Sequence, residues 1–267
     1  MSDRFILEKQ GHVMWLKFNR PERLNAMTIE SWGEFDEHLS AVDADRDVRC
    51  LVLAGEGRAF LAGHDVGEIR EHNEDIESGK LTPAQLREWQ KNLQHSTRRI
   101  RQARCPVVAC VHGYAVGAGC EVVFACDLVV AAESTRFGFP EVNIGVTITN
   151  GGTYFLPRKI GLAKARELAY TGELIDAAEA HRIGLVNRVV PDGTERAAAA
   201  ALAARIASRA PVAVQLHKAM IDSALEGSLE GALHFETEAL VQTAMTRDNL
   251  EGARAFFEKR EPRFTGE

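Results

Sequence analysis

The chain has 267 residues, 45% hydrophobic and 26% charged, which is apolar material for one sizeable core or two small ones and excludes a disordered or fibrous chain. Lys and Arg total 32 against 38 Asp and Glu, a formal charge of −6, so no excess of positive charge stands ready for a nucleic acid. The longest apolar run, Val107 to Ala132, is broken by His112, Glu121, Asp127 and the glycines at 113, 117 and 119, which a lone helix in lipid tolerates poorly, so no membrane partner is expected.

At the start of the chain, Met1-Ser2-Asp3-Arg4-Phe5-Ile6 lacks the basic opening and apolar centre of a secretory signal, and a cytoplasmic location is the expectation. Phe5 to Phe18 reads as a hairpin around Gln10-Gly11-His12, ending before Pro21. Thr28 then caps a predicted helix running to about Asp45. Short apolar runs follow at Val48 to Ala54 and Pro106 to Val111, separated by helical text, and this alternation favours an α/β fold. Glu71 to Lys80 is polar and is predicted to be a mobile surface loop. Thr82-Pro83-Ala84-Gln85 carries a cap, a proline at the first helical position and a capping-box glutamine, which starts a long helix to about Ala103.

Asp176, Asp192 and Asp248, each followed three residues later by Glu, repeat a helix-start signal. From Gly161 to Lys259 the text is almost wholly helical, with Pro211 at a helix start and only Leu185 to Val190 extended. An α/β body thus precedes a helical tail, and a split in two would fall near Arg158. The five cysteines, at 50, 105, 110, 120 and 126, are odd in number and form no C-x-x-C pair, so reduced, buried thiols are expected rather than disulfides or a metal site.

The segment Val107 to Asp127 reads as strand, small-residue turn and helix. A turn of Gly117, Ala118 and Gly119 at a helix start leaves backbone N–H groups facing outward at the positive end of the helix dipole, suited to a developing negative charge; close packing of helix on strand explains the same residues. The spacing is neither G-x-G-x-x-G nor a P-loop, which disfavours phosphate or dinucleotide binding. Glu121 lies among Cys, Val, Val and Phe, where burial raises a carboxyl pKa toward neutrality, although a surface carboxylate at a helix N-terminus fits the same text. Glu141 follows a proline amid apolar neighbours, either as a second acid or as a plain dipole partner. In Arg58 to Val66, His64 invites a proton-transfer role but a turn imidazole is more often hydrogen-bonded or exposed, and Asp65 suits a helix cap.

Taken in order, Leu16 to Met27, Phe60-x-Ala62-Gly63-x-Asp65, Gly113 to Glu121, Phe137-Gly138-Phe139-Pro140-Glu141, Gly151-Gly152-Thr153 before Leu156-Pro157-Arg158, Ala177-x-x-Ala180 with Gly184-Leu185-Val186, and Phe256 to Arg260 resemble the enoyl-CoA hydratase/isomerase (crotonase) family nearly end to end. The resemblance implies a crotonase-like spiral of repeated β-β-α units over 1–200 and a helical trimerisation region over 201–267, with a homotrimer or homohexamer as the assembly. It further implies an enoyl-CoA hydratase. The thioester oxygen would be held by the amides of His64 and Ala118, with Glu121 as base toward water and Glu141 as acid toward carbon.

Coenzyme A, as part of the substrate, would lie along Arg23, Leu24, Ala26, Ala62, His64, Asp65, Val66 and Ala118, with Phe256 and Lys259 near its adenine and 3′-phosphate, from a neighbouring subunit. No metal and no redox cofactor is implied. Lys259 also reads simply as an exposed residue of a basic last helical turn. Three departures stand out from the family pattern. Ala118 replaces the glycine usual in the turn, Val146 to Asn150 replaces a Pro-Gly step, and Phe139 is bulky beside Glu141. His64 in Ala-Gly-His-Asp resembles some decarboxylase-like relatives, but Glu141 occupies the position of tyrosine in a family decarboxylase, which lowers that reading. The alternatives are a double-bond isomerase of the same family and a non-catalytic acyl-CoA-binding homologue.

Overall fold

The computed structural model describes residues 3–267. The predicted hairpin forms as β1 (Phe5–Gln10) and β2 (Val13–Phe18), paired antiparallel from Phe5 opposite Phe18 to Gln10 opposite Val13. Parallel strands then add in the order β1-β2-β3-β4-β6-β9, with β3 at Cys50–Gly55, β4 at Val107–Val111, β6 at Leu128–Ala132 and β9 at Arg188–Val190. Every residue of β3 and β4 is buried, which explains why they read as unbroken apolar runs and not as alternating ones.

A second, smaller layer contains β5 (Tyr114–Val116), β7 (Arg136–Gly138) and β8 (Leu174–Asp176). Isolated bridges continue its pairing, Leu61 to Ala115 and Met27 to His64. Strands β2, β3 and β4 of the large sheet are each followed by a short extended piece in the second layer and then a helix. β2 leads through Met27 to α1 (Ile29–Ala44), β3 through residues 61–64 to α2 (Val66–Glu77) and α3 (Pro83–Gln102), and β4 through β5 to α4 (Ala118–Ala125). This is the β-β-α spiral that the family resemblance implies. The larger core lies between the sheet and these helices and contains Phe18, Phe35, Phe60, Phe124 and Phe139.

Local chemistry explains the helix starts. Thr28 and Ser31 form a reciprocal capping box for α1, and Thr82 with Gln85 forms one for α3 behind Pro83, as predicted. Asp176 caps α7 (Ala177–Arg182) through the Glu179 N–H. Two start signals fail. Asp192 accepts from Ser134 N instead, while α8 (Glu195–Ala207) follows Thr194; Asp248 lies inside α11 (Arg247–Glu258), capped by Thr246, and binds the Thr265 and Gly266 amides. An Asp offers the same oxygens to a distant amide as to its own helix.

The predicted loop Glu71 to Lys80 is mostly helix, since α2 runs to Glu77. Its polar sequence has no apolar stripe because α2 buries no residue; the Asp65 cap and a ring contact between His72 and Trp89 of α3 hold it. Within the expected helical tail, β8 is a strand too short to show a pattern. The alanine-rich α8 covers the other face of the large sheet, burying Ala199, Leu202 and Ala203 against Trp15, Val52 and Cys110, and residue 200 falls inside it. Beyond it, α9 (Pro211–Ala224), α10 (Leu229–Ala244) and α11 pack mainly on one another. All five cysteines are free and buried. Among the described residues, no single helix is long and apolar enough to cross a membrane.

Candidate active site

Two backbone amides meet where the second layer crosses the start of α4. Gly117, which precedes the helix, has φ +56° and ψ −129°, a conformation closed to residues with a Cβ, and this turn presents Ala118 as the first helical residue. An amide in that position has no intrahelical acceptor. Next to it, Met27 N donates to Gly63 O and Asp65 N to Met27 O, both at 2.9 Å, which leaves the His64 N–H on the opposite edge of that bridge. Neither amide donates to another described residue. The two edges touch: a methyl group placed on Gly63, at φ +93°, would lie 2.9 Å from Val116 O and 3.4 Å from Ala118 N.

Both predicted carboxylates converge on the same turn. Glu121 is 1% exposed, and its Oε1 accepts from Asn150 N at 2.6 Å and Gly152 N at 3.0 Å, the latter opening α5 (Gly152–Ile160). Burial pushes its pKa up to about 7; the two N–H groups oppose this rise, and the nearby charge of Glu141 adds to it. Glu141 sits in a 3-10 turn, Pro140–Ile144, after β7. Its Oε1 leans on Gly117, where an added Cβ would be 3.3 Å away, and its buried Oε2 finds no partner among the described residues. Burial lifts its pKa as well. Two free donors and two acids whose pKa values burial raises therefore share one site.

The side chain of His64 stands apart from this chemistry. Its Nε2 lies 3.0 Å from Glu68 Oε2, and burial lowers its pKa, which keeps the ring neutral near pH 7. Ala118 packs its methyl group against the core, so the substitution for glycine leaves the amide clear. Phe139 is fully buried against Phe124, and a Cβ added to Gly152 would lie 3.3 Å from its ring and 3.1 Å from Glu121 Oε1.

The residues expected along coenzyme A fall into two groups. Arg23, Leu24 and Ala26 run beside Ala62, His64, Asp65 and Val66, joined by Ala62 N to Leu24 O at 3.1 Å. Leu24 and Asn25 both have positive φ, at 52° and 61°, and the buried Asn25 side chain holds this bend through Arg20 N and the carbonyls of Glu56, Ala59 and Phe60. The Asp65 carboxylate is engaged by Arg20 and by the Gly67 amide, so it braces the strip from within the fold instead of offering free oxygens to coenzyme A. Phe256, 80% exposed, and Lys259, at the end of α11, have no hydrogen bond, ion pair or ring contact to this strip among the described residues. Sequence reasoning gave no role to Arg20, Asn25, Asn150 or Gly152, although Leu16 to Met27, Val146 to Asn150 and Gly151-Gly152 were each singled out against the family pattern.

A profile described as enoyl-CoA hydratase/isomerase matches residues 8–267. The chain belongs to the enoyl-CoA hydratase/isomerase family. Among relatives of this family, the Clostridium acetobutylicum short-chain-enoyl-CoA hydratase is 38% identical, with 96% of this chain and 95% of that protein covered. The crotonyl-CoA hydratase of Syntrophomonas wolfei is 36% identical, with 98% of each covered. A solved enoyl-CoA hydratase from Bacillus anthracis superimposes with a TM-score of 0.92 at 33% identity, covering 99% of this chain and 100% of the other.

Proposed function

We infer that the protein is an enoyl-CoA hydratase that reversibly adds water to a trans-2-enoyl-CoA to give a 3-hydroxyacyl-CoA. The observation that carries this reading is the meeting of two unpartnered amides, His64 and Ala118, with two buried carboxylates, Glu121 and Glu141, at one helix start. The names of full-length relatives support it. Water is a poor nucleophile toward an alkene until the carbonyl withdraws charge. The two amides bind the thioester oxygen as it becomes enolate-like, a type of donor whose loss costs about 10²–10³ in rate. Glu121, ionised and oriented by Asn150 and Gly152, takes a proton from the water that attacks the β-carbon. Glu141, with one oxygen lacking a partner among the described residues, is suited to hold a proton and deliver it to the α-carbon.

Coenzyme A then follows the strip of residues 23–26 and 62–66, with Phe256 and Lys259 supplied by another subunit. Exposed apolar side chains on the last helices, among them Leu229, Leu240, Met245 and Phe257, support a homotrimer or homohexamer. The acid–base pair performs the whole reaction without metal or redox cofactor, in the cytoplasm. Mixing the purified protein with crotonyl-CoA and longer enoyl-CoAs tests the reading through loss of the conjugated thioester absorbance. Hydration by this pair is wrong if no enoyl-CoA turns over, or if turnover survives Glu121→Gln combined with Glu141→Gln.

A further inference from the structure

Helix α3 carries Gln90, Gln94 and Thr97, three half-buried polar side chains whose spacing places them along one helix face. All three reach one short stretch of irregular backbone. Gln94 Nε2 donates to Thr149 O at 2.9 Å; Gln90 Nε2 donates to the same oxygen at 3.2 Å and to Asn150 Oδ1 at 3.1 Å; Thr97 Oγ1 donates to Asn150 O at 3.1 Å. The Thr149 carbonyl and the Asn150 N–H are the two ends of one planar peptide unit. Its other end is the 2.6 Å donor to Glu121 Oε1. Two amide side chains thus hold one face of a peptide while the opposite face holds the carboxylate. Hydrogen bonds in such a chain polarise one another, so a gripped carbonyl makes a better N–H donor.

We propose that Gln90 and Gln94 are positioning residues: by fixing the Thr149–Asn150 peptide, they aim its N–H at Glu121 and favour the ionised carboxylate. Glu121 is buried with Glu141 beside it, conditions that favour the neutral acid, and the amide donors are what oppose them. The inference deepens the hydratase reading and rests on Glu121 acting there as base. The Val146 to Asn150 departure from the family pattern thereby acquires a role, since Thr149 and Asn150 are where the clasp closes.

Met has nearly the length of Gln without its donor, so Gln94→Met, Gln90→Met and the double variant test the proposal, with kcat and KM for crotonyl-CoA measured from pH 5.5 to 9.5. The acid limb of kcat moves upward, by up to about one pH unit in the double variant. At pH 6.5 this is a fall of up to about tenfold in kcat that is largely recovered at pH 9, with KM changed by less than about twofold. Gln94→Met alone leaves Gln90 on the same oxygen and keeps the stretch in place, so a smaller shift is expected from it. An unshifted limb, or a kcat lowered by one factor at every pH, overturns the proposal. Glu121→Gln assayed alongside separates the two levels of the argument. If that variant is fully active, the reading of Glu121 as base fails; if it is inactive while the glutamine variants keep the parent profile, only the clasp fails.

Discussion

Replacing Glu121 by Gln should weaken the enzyme and stabilise the fold above neutrality. The carboxyl goes from an ordinary pKa of 4.5 to about 7 on folding. Below pH 4.5 both folded and unfolded chains hold the proton and no linkage contribution separates them. As pH rises toward 7 the unfolded chain releases the proton while the folded one retains it, so stability falls across that window and levels off above it. With 1.36 kcal/mol per unit, the whole fall approaches about 3 kcal/mol. Gln keeps an oxygen for the Asn150 and Gly152 amides and cannot ionise; its buried NH₂ adds a cost of about 1–2 kcal/mol that does not depend on pH. The decisive quantity is therefore the change of the variant-minus-parent stability with pH. Urea unfolding followed by tryptophan fluorescence, at one fixed protein concentration so that assembly does not intrude, should show the variant gaining about 2–3 kcal/mol on the parent between pH 5 and pH 8.5. In the same preparation kcat at pH 8 should fall by about 10²–10⁴. A difference flat within about 0.5 kcal/mol over that range would refute the claim that folding raises the pKa of this carboxyl toward neutrality.

Gly63→Ala places a methyl group 2.9 Å from Val116 O at a φ of +93°, and should cost about 1–3 kcal/mol of stability. Because the shift occurs between the two free amides, kcat should drop by about 10²–10³ while KM moves little; wild-type kcat would contradict the placing of the thioester oxygen there. Asn25→Ala removes the side chain that satisfies three carbonyls and one amide around the Leu24 bend, and thermal or urea unfolding should report a loss of about 2–4 kcal/mol. The same variant should raise KM for acyl-CoA, since the coenzyme A strip loses its support; an unaltered KM would detach that strip from binding.

Much of the body was present in local pattern. Continuous apolar runs marked β3 and β4 because both faces of those strands are covered, and the cap at Thr28 and the capping box at Thr82 marked α1 and α3 because such signals are local in the chain. Motif order along the chain pointed to the spiral and to Glu121, Glu141, His64 and Ala118, which do lie at one site. The polar α2 was hidden because its support comes from Asp65 and Trp89, outside the segment itself, and β8 because three residues carry no period.

What sequence alone determined was chemistry that short-range spacing can encode: apolar runs, caps, and the small residues that free an amide at a helix start. What only the tertiary structure decided was how strongly Glu121 holds its proton. That depends on burial beside Phe139, on the neighbouring carboxylate and on amides from residues 150 and 152, all brought together from distant parts of the chain by packing. Electrostatic energy depends on distance and dielectric in space, and spacing along the sequence carries neither.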